Sequence, residues 1–327
     1  MTSIYSILAQ ENAEPDLIEL LSVILSTTCS IAERISHGAL GDTLGATAQE
    51  NVQGEVQKKL DVIANDLLIN ALINQGSVRA IASEEETHTL VATAGAPYLV
   101  AFDPLDGSTN IDINAPIGTI FTIFNARDDV PDAREEQFYQ SGSEQVCAGY
   151  VLYGPYTTLM ITTGKTTHEF TLNKTSGEFL LSKSPVVLPE NTLEFAANLA
   201  NQFYWPKTFQ DYIATLIAKK TDSARFNMRW LGAMVGDIHR ILTRGGVFIY
   251  PSDCRNPKQP AKLRLLYEAF PMALLIEAAG GQAYSESGRI LEAELESLHQ
   301  RTPVILGDRK RVDECFSTLC STDLVLT

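Results

Sequence analysis

The chain has 327 residues, of which 45% are hydrophobic and 20% are charged. This length predicts a sizeable core in two domains or one large layered domain, and the composition is ordinary for a globular protein. The formal net charge of −15 argues against nucleic-acid binding, and an anionic ligand would need a locally positive site.

Neither membrane insertion nor secretion is expected. The apolar run at residues 272–276 is interrupted at once by Glu277, well short of a membrane span. The N-terminus lacks a basic segment followed by an apolar one, so we expect a cytoplasmic protein. The five cysteines show no C-x-x-C or zinc-like spacing, which predicts reduced thiols.

The first half of the chain is predicted to be two helices followed by a run of strands. Apolar residues recur every three or four positions over residues 17–35, and a second helix is predicted from Val56 to near Gly76. A polar loop is expected between them, over residues 38–53. Short strands are predicted at residues 78–82, 98–102, 119–124, 146–152, 158–162, 168–172 and 178–181.

The pattern changes after residues 182–189. Beyond them strands alternate with helices: strands at residues 193–196, 247–250 and 303–306, and helices at residues 208–219, 231–243 and 271–279. This predicts an α/β protein (α+β, layered) made of two sheet-and-helix halves, with domains at residues 1–187 and 188–327.

The most informative segment is Phe102-Asp-Pro-Leu-Asp-Gly-Ser-Thr-Asn110, read as an acidic turn after a strand. Asp103 and Asp106 offer the carboxylate oxygens that Mg²⁺ prefers. The backbone N–H groups of residues 107–109, at a predicted helix start, are suited to a phosphate. Together they indicate phosphoryl chemistry.

A second acidic group, residues 84–86, follows the preceding strand. Three adjacent acids are usually a solvated loop, but ligands of layered α/β proteins bind at strand ends. Two acidic groups at neighbouring strand ends would repel each other unless a cation bridges them, so metal binding is favoured.

Two further acidic residues have two interpretations each. Asp61 is either on an exposed charged helix face or turned toward the metal cluster, and Glu268 is either an ion-pair partner of Arg264 or a metal ligand. Lys262-Leu-Arg264 alternates as a strand would, so both cations are expected on one face. His239 is expected to pack or cap rather than catalyse. The basic candidates of the second half are Arg225, Arg229, Lys262 and Arg264.

Residues 102–112 resemble the metal motif of the Mg²⁺-dependent, lithium-sensitive phosphatase superfamily. Residues 261–273 resemble the signature of class I fructose-1,6-bisphosphatases, with Glu268 in Leu-Tyr-Glu where inositol-monophosphatase-like proteins carry Trp-Asp. Supporting stretches lie at residues 58–66, 83–85, 228–229, 245–251 and 299–306. The resemblance implies a five-layer αβαβα sandwich of the sugar-phosphatase type.

The resemblance also implies a set of site residues. Metal ligands would be Glu84, Glu85, Asp103, the Leu105 carbonyl, Asp106 and Glu268, holding two or three Mg²⁺ ions, with Mn²⁺ as the alternative. Asp61 and Glu85 would orient and deprotonate the attacking water. Substrate would be bound by Asp106, Gly107, Ser108, Thr109, Asn198, Tyr250, Lys262 and Arg264, and by Arg229 reaching into a neighbouring subunit of a homo-oligomer, expected to be a tetramer.

The implied activity is hydrolysis of fructose 1,6-bisphosphate to fructose 6-phosphate and phosphate, a step of gluconeogenesis, by in-line attack of a Mg²⁺-activated water. The alternatives are a sedoheptulose-1,7-bisphosphatase or dual-specificity enzyme, and a silent Mg²⁺- and sugar-phosphate-binding regulator, which the acidic residues at every family metal position disfavour. Three positions depart from the animal pattern: Glu55 replaces an aspartate, and Trp230 and Asn201 replace tyrosines.

Overall fold

The computed structural model describes residues 2–41, 45–50, 56–218 and 226–320. Its α-helices are α1 (Ile4–Gln10), α2 (Pro15–His37), α3 (Lys59–Ile73), α4 (Lys207–Ala218), α5 (Met234–Arg244), α6 (Phe270–Ala278) and α7 (Arg309–Cys320). Most were predicted to within a few residues. The candidate residues Glu55 and Arg225 lie outside the described residues.

Most strands belong to two large sheets. The first half supplies β1 (Ala46–Glu50), β2 (Val56–Lys58), β3 (Val78–Ser83), β4 (Leu90–Val91), β5 (Tyr98–Asp106), β6 (Ile117–Asn125), β7 (Gln145–Tyr153), β8 (Thr157–Thr162), β9 (Thr167–Asn173) and β10 (Glu178–Lys183). The second half supplies β11 (Glu194–Ala196), β12 (Asn227–Met228), β13 (Val247–Tyr250), β14 (Gln282–Tyr284) and β15 (Val304–Gly307).

The larger sheet has the order β10-β9-β8-β7-β6-β5-β3-β4, and β3 and β5 are parallel neighbours. The smaller sheet has the order β12-β11-β13-β15-β14. All seven strands predicted for the first half lie in the larger sheet.

Helices and sheets alternate in five layers. α1, α2 and α3 pack on one face of the larger sheet through a core that includes Leu20 and Phe121. α5 and α6 lie between the two sheets, and α4 and α7 cover the far face of the smaller sheet. Because helices cover both faces of the larger sheet, β6 is buried from Ile117 to Phe124. The predicted αβαβα sandwich is confirmed.

Three details of the predicted secondary structure are wrong. Part of the loop expected at residues 38–53 is β1, which pairs with β2, and α3 starts at Lys59 rather than Val56. Lys58 stays extended because its N–H is accepted by Asp61 Oδ2 at 2.8 Å, which caps the helix. Residues 262–264 form no strand; they lead into a π-helix at Leu265–Ala269, before α6.

The sequence analysis expected no apolar segment of membrane-spanning length. Pro15–Gly41, however, is long and apolar enough to span a membrane by length and composition alone. This stretch contains α2, whose residues Leu20, Leu21 and Ile24 are buried in the core beneath the larger sheet. A helix that packs in this way meets the same length and composition test as a membrane span.

Candidate active site

A β-bulge turns Asp103 and Asp106 toward the same place. Asp103 pairs with Ile120 and Asp106 with Gly118, so three steps along β5 match two along β6. In a regular strand, residues three apart point to opposite faces, and the extra residue cancels this alternation. The segment predicted as a turn is therefore a bulged strand end.

Hydrogen bonds from neighbouring elements hold the bulge in place. Thr119 on β6 donates its hydroxyl to the Pro104 carbonyl at 2.9 Å, and Tyr153 Oη lies 2.9 Å from the same hydroxyl. The Leu105 N–H donates to Asp103 Oδ1 at 2.9 Å, and the Val235 N–H of α5 donates to Asp106 Oδ2 at 2.7 Å. These bonds fix both carboxylates before any ligand binds.

The second acidic group lies at the neighbouring strand end. Ser83, the last residue of β3, pairs with Phe102 of β5, which places Glu84 and Glu85 beside Asp103. Glu86 turns away instead, and its Oε1 accepts from Asn65 of α3 at 2.8 Å. Two of the three consecutive acids thus belong to the site.

Glu268 comes from the second half of the chain, on the π-helix before α6. Its Oε2 accepts from the Arg264 backbone N–H at 2.5 Å. Carboxylate oxygens of Asp103, Asp106 and Glu268 all lie within 4.8 Å of one another. This is the spacing at which one cation can contact all three side chains.

Burial and mutual repulsion disfavour the charged forms of these acids. Burial, followed by the repulsion of Glu84 and Asp106, raises the pKa of Asp103 well above its usual range. Burial raises the pKa of Asp106 and of Glu268 to about 7, against the opposing effect of backbone hydrogen bonds. A divalent cation would reverse this balance.

Asp61 is buried, so its interpretation as part of an exposed charged face is wrong. Its Oδ1 has no hydrogen-bond partner, and burial raises its pKa to about 7, with Glu85 and Glu84 adding repulsion. The electrostatic effect of both glutamates indicates that Asp61 lies close behind the acidic group.

A cavity of about 340 Å³ collects most of the predicted site residues. The predicted residues that line it are Glu84, Glu85, Asp103, Leu105, Asp106, Gly107, Ser108, Thr109, Asn198, Tyr250, Lys262 and Glu268. Residues that the sequence did not assign also line it: Asn110, Gly232, Met234, Phe248 and Leu263. Of these, Asn110 belongs to the acidic motif itself and is the one that the sequence could have indicated.

Three predicted residues do not line the cavity: Asp61, Arg229 and Arg264. Arg264 is buried behind it, where its guanidinium lies 3.7 Å from Glu84 Oε1 and donates to the Lys262 carbonyl at 2.6 Å. Lys262 faces the cavity, so the two cations do not share a face. Arg229 is exposed and points to its own neighbour, donating to the Met228 carbonyl.

One part of the cavity wall is aromatic. The Trp230 ring stacks on Phe248, with 6.0 Å between ring centroids, and lies 6.1 Å from Tyr250. His239 is remote from this wall: it contacts the Tyr150 hydroxyl at 3.1 Å, and burial lowers its pKa to about 4. It packs, as predicted.

Two family models match the chain: "Fructose-1-6-bisphosphatase, N-terminal domain" over residues 4–184 and "Fructose-1-6-bisphosphatase, C-terminal domain" over residues 188–320. A class 1 fructose-1,6-bisphosphatase of Cellvibrio japonicus is 55% identical over 314 residues, covering 95% of this chain and 97% of its own. The corresponding protein of Colwellia psychrerythraea is 51% identical over 312 residues, with coverage of 95% and 97%.

Solved structures agree with these matches. The holo form of Leishmania major fructose-1,6-bisphosphatase has a TM-score of 0.91 and 38% identity, covering 97% of this chain and 98% of that one. The T-state structure of the same protein has a TM-score of 0.85 and 36% identity, with the same coverage. On this sequence and structural evidence, the chain belongs to the class 1 fructose-1,6-bisphosphatase family.

Proposed function

We propose that the protein hydrolyses fructose 1,6-bisphosphate to fructose 6-phosphate and inorganic phosphate, a step of gluconeogenesis. The observation that carries the proposal is the group Asp103, Asp106 and Glu268, which shares one cavity with Lys262. This arrangement offers oxygen ligands for cations at one end and a positive charge for an anionic sugar nearby.

The family depends on divalent metal, and the residues here fit one. Buried carboxylates with raised pKa values and the unpartnered Oδ1 of Asp61 are oxygen donors suited to a divalent cation. We assign Glu84, Glu85, Asp103, the Leu105 carbonyl, Asp106 and Glu268 to two or three Mg²⁺ ions, for which Mn²⁺ is an alternative. Bound metal would supply charge neutralisation and a water of lowered pKa.

The protein's own groups manage the proton and the transferred phosphate. Asp61 and Glu85 would accept the proton of the attacking water, because Glu85 lines the cavity, Asp61 lies close behind it, and a carboxylate is a suitable base. The backbone N–H groups and hydroxyls of residues 107–109 would hold the 1-phosphate, with Asp106.

The sugar and its 6-phosphate would lie toward Lys262, Asn198 and Tyr250. Exposed Arg229 would complete a neighbouring subunit's site, which makes the protein a homo-oligomer, expected to be a tetramer. Arg264, expected from the sequence to bind substrate, is better suited to holding Glu84 and the Lys262 backbone.

We further propose a domain division at residues 1–187 and 188–327 and a cytoplasmic location. The division is supported by the two sheets, since the larger one ends at Lys183 and the smaller one begins at Glu194. The acidic carboxylates of β3 and β5 would then belong to one domain, and Lys262 and Glu268 to the other.

The test is phosphate release from fructose 1,6-bisphosphate with and without Mg²⁺, and the same assay with sedoheptulose 1,7-bisphosphate. Asp103→Asn removes a charged ligand at nearly constant volume and should lower the rate by at least about a hundredfold, with the circular dichroism spectrum unchanged. Asp106→Asn should behave in the same way.

The matched control is Asp211→Asn on α4, an exposed residue paired with Lys207. It should leave the rate unchanged. Near-normal hydrolysis by either ligand variant, or metal-independent hydrolysis by the unmodified protein, would contradict the assignment.

A further inference from the structure

The segment between Trp230 and α5 is clamped through the peptide groups of Leu231 and Gly232. Asp237, on the first turn of α5, accepts from the Leu231 N–H on Oδ1 at 3.0 Å and from the Gly232 N–H on Oδ2 at 3.3 Å. On the other side, Asn110 Nδ2 donates to the Leu231 carbonyl at 2.9 Å. Both clamping side chains are buried.

The clamped peptide carries the wall of the cavity. Trp230 immediately precedes it and lines the cavity with its ring stacked on Phe248. Gly232 follows Leu231 with a φ of +78°, a conformation that side chains rarely adopt. The direction of this segment is therefore set by side-chain hydrogen bonds and not by regular secondary structure, since α5 begins only at Met234.

The two side chains that hold this peptide, Asn110 and Asp237, belong to different segments of the chain. Asn110 belongs to the segment that follows the metal-site carboxylates, whereas Asp237 shares α5 with Val235, whose N–H holds Asp106. Asp237 does not line the cavity. Its two hydrogen bonds reach the cavity wall through the backbone of residues 231–232.

We propose that Asp237 is a positioning residue for substrate binding, which sets the placement of Trp230 in the wall of the cavity. This role rests on the proposed function, because it concerns substrate binding in that same cavity. A carboxylate is suited to it because each oxygen accepts one backbone N–H, and a neutral amide offers one acceptor and one donor.

The test is Asp237→Asn, which keeps the volume but turns an amide N–H₂ toward a backbone N–H. Loss of one of the two backbone hydrogen bonds at this wall should raise the KM for fructose 1,6-bisphosphate by about tenfold, with kcat changed by less than about twofold. Asp211→Asn is again the matched control.

A double-mutant cycle with Trp230→Ala separates positioning from a general structural role. Once the indole is gone, adding Asp237→Asn should raise KM by less than about twofold further. An equal rise in KM with and without Trp230 would overturn the proposal, as would an unchanged KM in D237N or a loss confined to kcat.

Asp237→Ser repeats the test if D237N does not fold, because the smaller side chain leaves room for water on the second N–H; its KM should rise as well, and an unchanged KM would overturn the proposal. An unmodified protein without phosphatase activity would contradict the proposed function. An active one with unaltered D237N kinetics would contradict the positioning role alone.

Discussion

At the scale of single residues, the acidic motif depends on the absence of a side chain. Gly107, directly after Asp106, has a φ of +80°, and a Cβ atom there would overlap the Cβ of Ala233 before α5. The close approach lets Asp106 reach the Val235 N–H. The glycine is therefore needed both for the local backbone conformation and for the position of the Asp106 carboxylate.

We expect Gly107→Ala to lower the free energy of unfolding by about 2–4 kcal/mol, since it combines backbone strain with a clash. The rate of phosphate release should fall by at least about tenfold, because relief of the clash moves Asp106. Denaturant unfolding and the phosphatase assay measure the two effects.

Gly177→Ala is the control that separates the effect of backbone strain from the effect of the steric clash. Gly177 has a similar φ of +70°, but a Cβ atom there would meet nothing within 4 Å. Gly177→Ala should therefore cost only about 1 kcal/mol and leave the rate intact. If the two alanine variants lost equal stability and equal activity, the close approach to Ala233 would have no special role.

At the scale of elements, the bulge in β5 connects sheet structure to metal geometry. Thr119 supports it through the Pro104 carbonyl and contacts Tyr153, so one hydroxyl anchors the bulge between two neighbouring strands. Removing the hydroxyl takes this hydrogen bond away from the carbonyl of a buried residue.

Thr119→Val keeps the shape and removes the hydroxyl. It should lower the free energy of unfolding by about 1–3 kcal/mol and raise the half-saturating Mg²⁺ concentration severalfold, because the bulge carries Asp103 and Asp106. Rates measured across a Mg²⁺ titration give the second quantity.

Thr158→Val is the control within the same sheet, since Thr158 is equally buried and donates to the Phe170 carbonyl at 2.9 Å. It should lower stability by a similar amount without altering the Mg²⁺ dependence. A Thr119 variant with the ordinary Mg²⁺ dependence would show that the bulge is not held by this hydroxyl.

Elements with strong periodicity were predicted well, and the site was predicted only in part. The strands of the larger sheet follow from their apolar runs, and the carboxylates proposed as metal ligands after β3 and on β5 follow from acidic motifs at strand ends. The bulge was missed because Asp103-Pro104 resembles a turn, although the strand continues to Asp106. Asp237 was missed because its partners are backbone N–H groups six and five residues earlier, which leave no pattern in the sequence.

At the scale of the whole molecule, the site lies where the layers meet. Asp103 and Asp106 come from the larger sheet, Glu268 from the segment leading into the middle helices, and Tyr250 from the smaller sheet. The two halves therefore bring several buried carboxylates together, and their mutual repulsion is offset only in part by Arg264 and Lys262.

The sign of the pH dependence follows from the raised pKa values. Asp61, Asp106 and Glu268 have pKa values of about 7 in the folded protein, against about 4 in an unfolded chain. The folded state therefore holds more protons between these limits. Stability of the metal-free protein is greatest below about pH 4 as far as these groups are concerned, and it is lost as the pH rises through about 7.

We therefore expect the melting temperature in EDTA to fall by more than about 5 °C between pH 5.5 and pH 8, and Mg²⁺ to restore most of it at pH 8 but little at pH 5.5. Asp237, whose pKa is also about 7, contributes to the fall in EDTA. Scanning calorimetry with and without Mg²⁺ at both pH values measures this difference.

In Asp103→Asn the stabilisation by Mg²⁺ at pH 8 should be smaller, because one ligand charge is gone. A stabilisation by Mg²⁺ that is equal at the two pH values would mean that the buried carboxylates are already ionised without metal, and that the metal does not compete with protons for them.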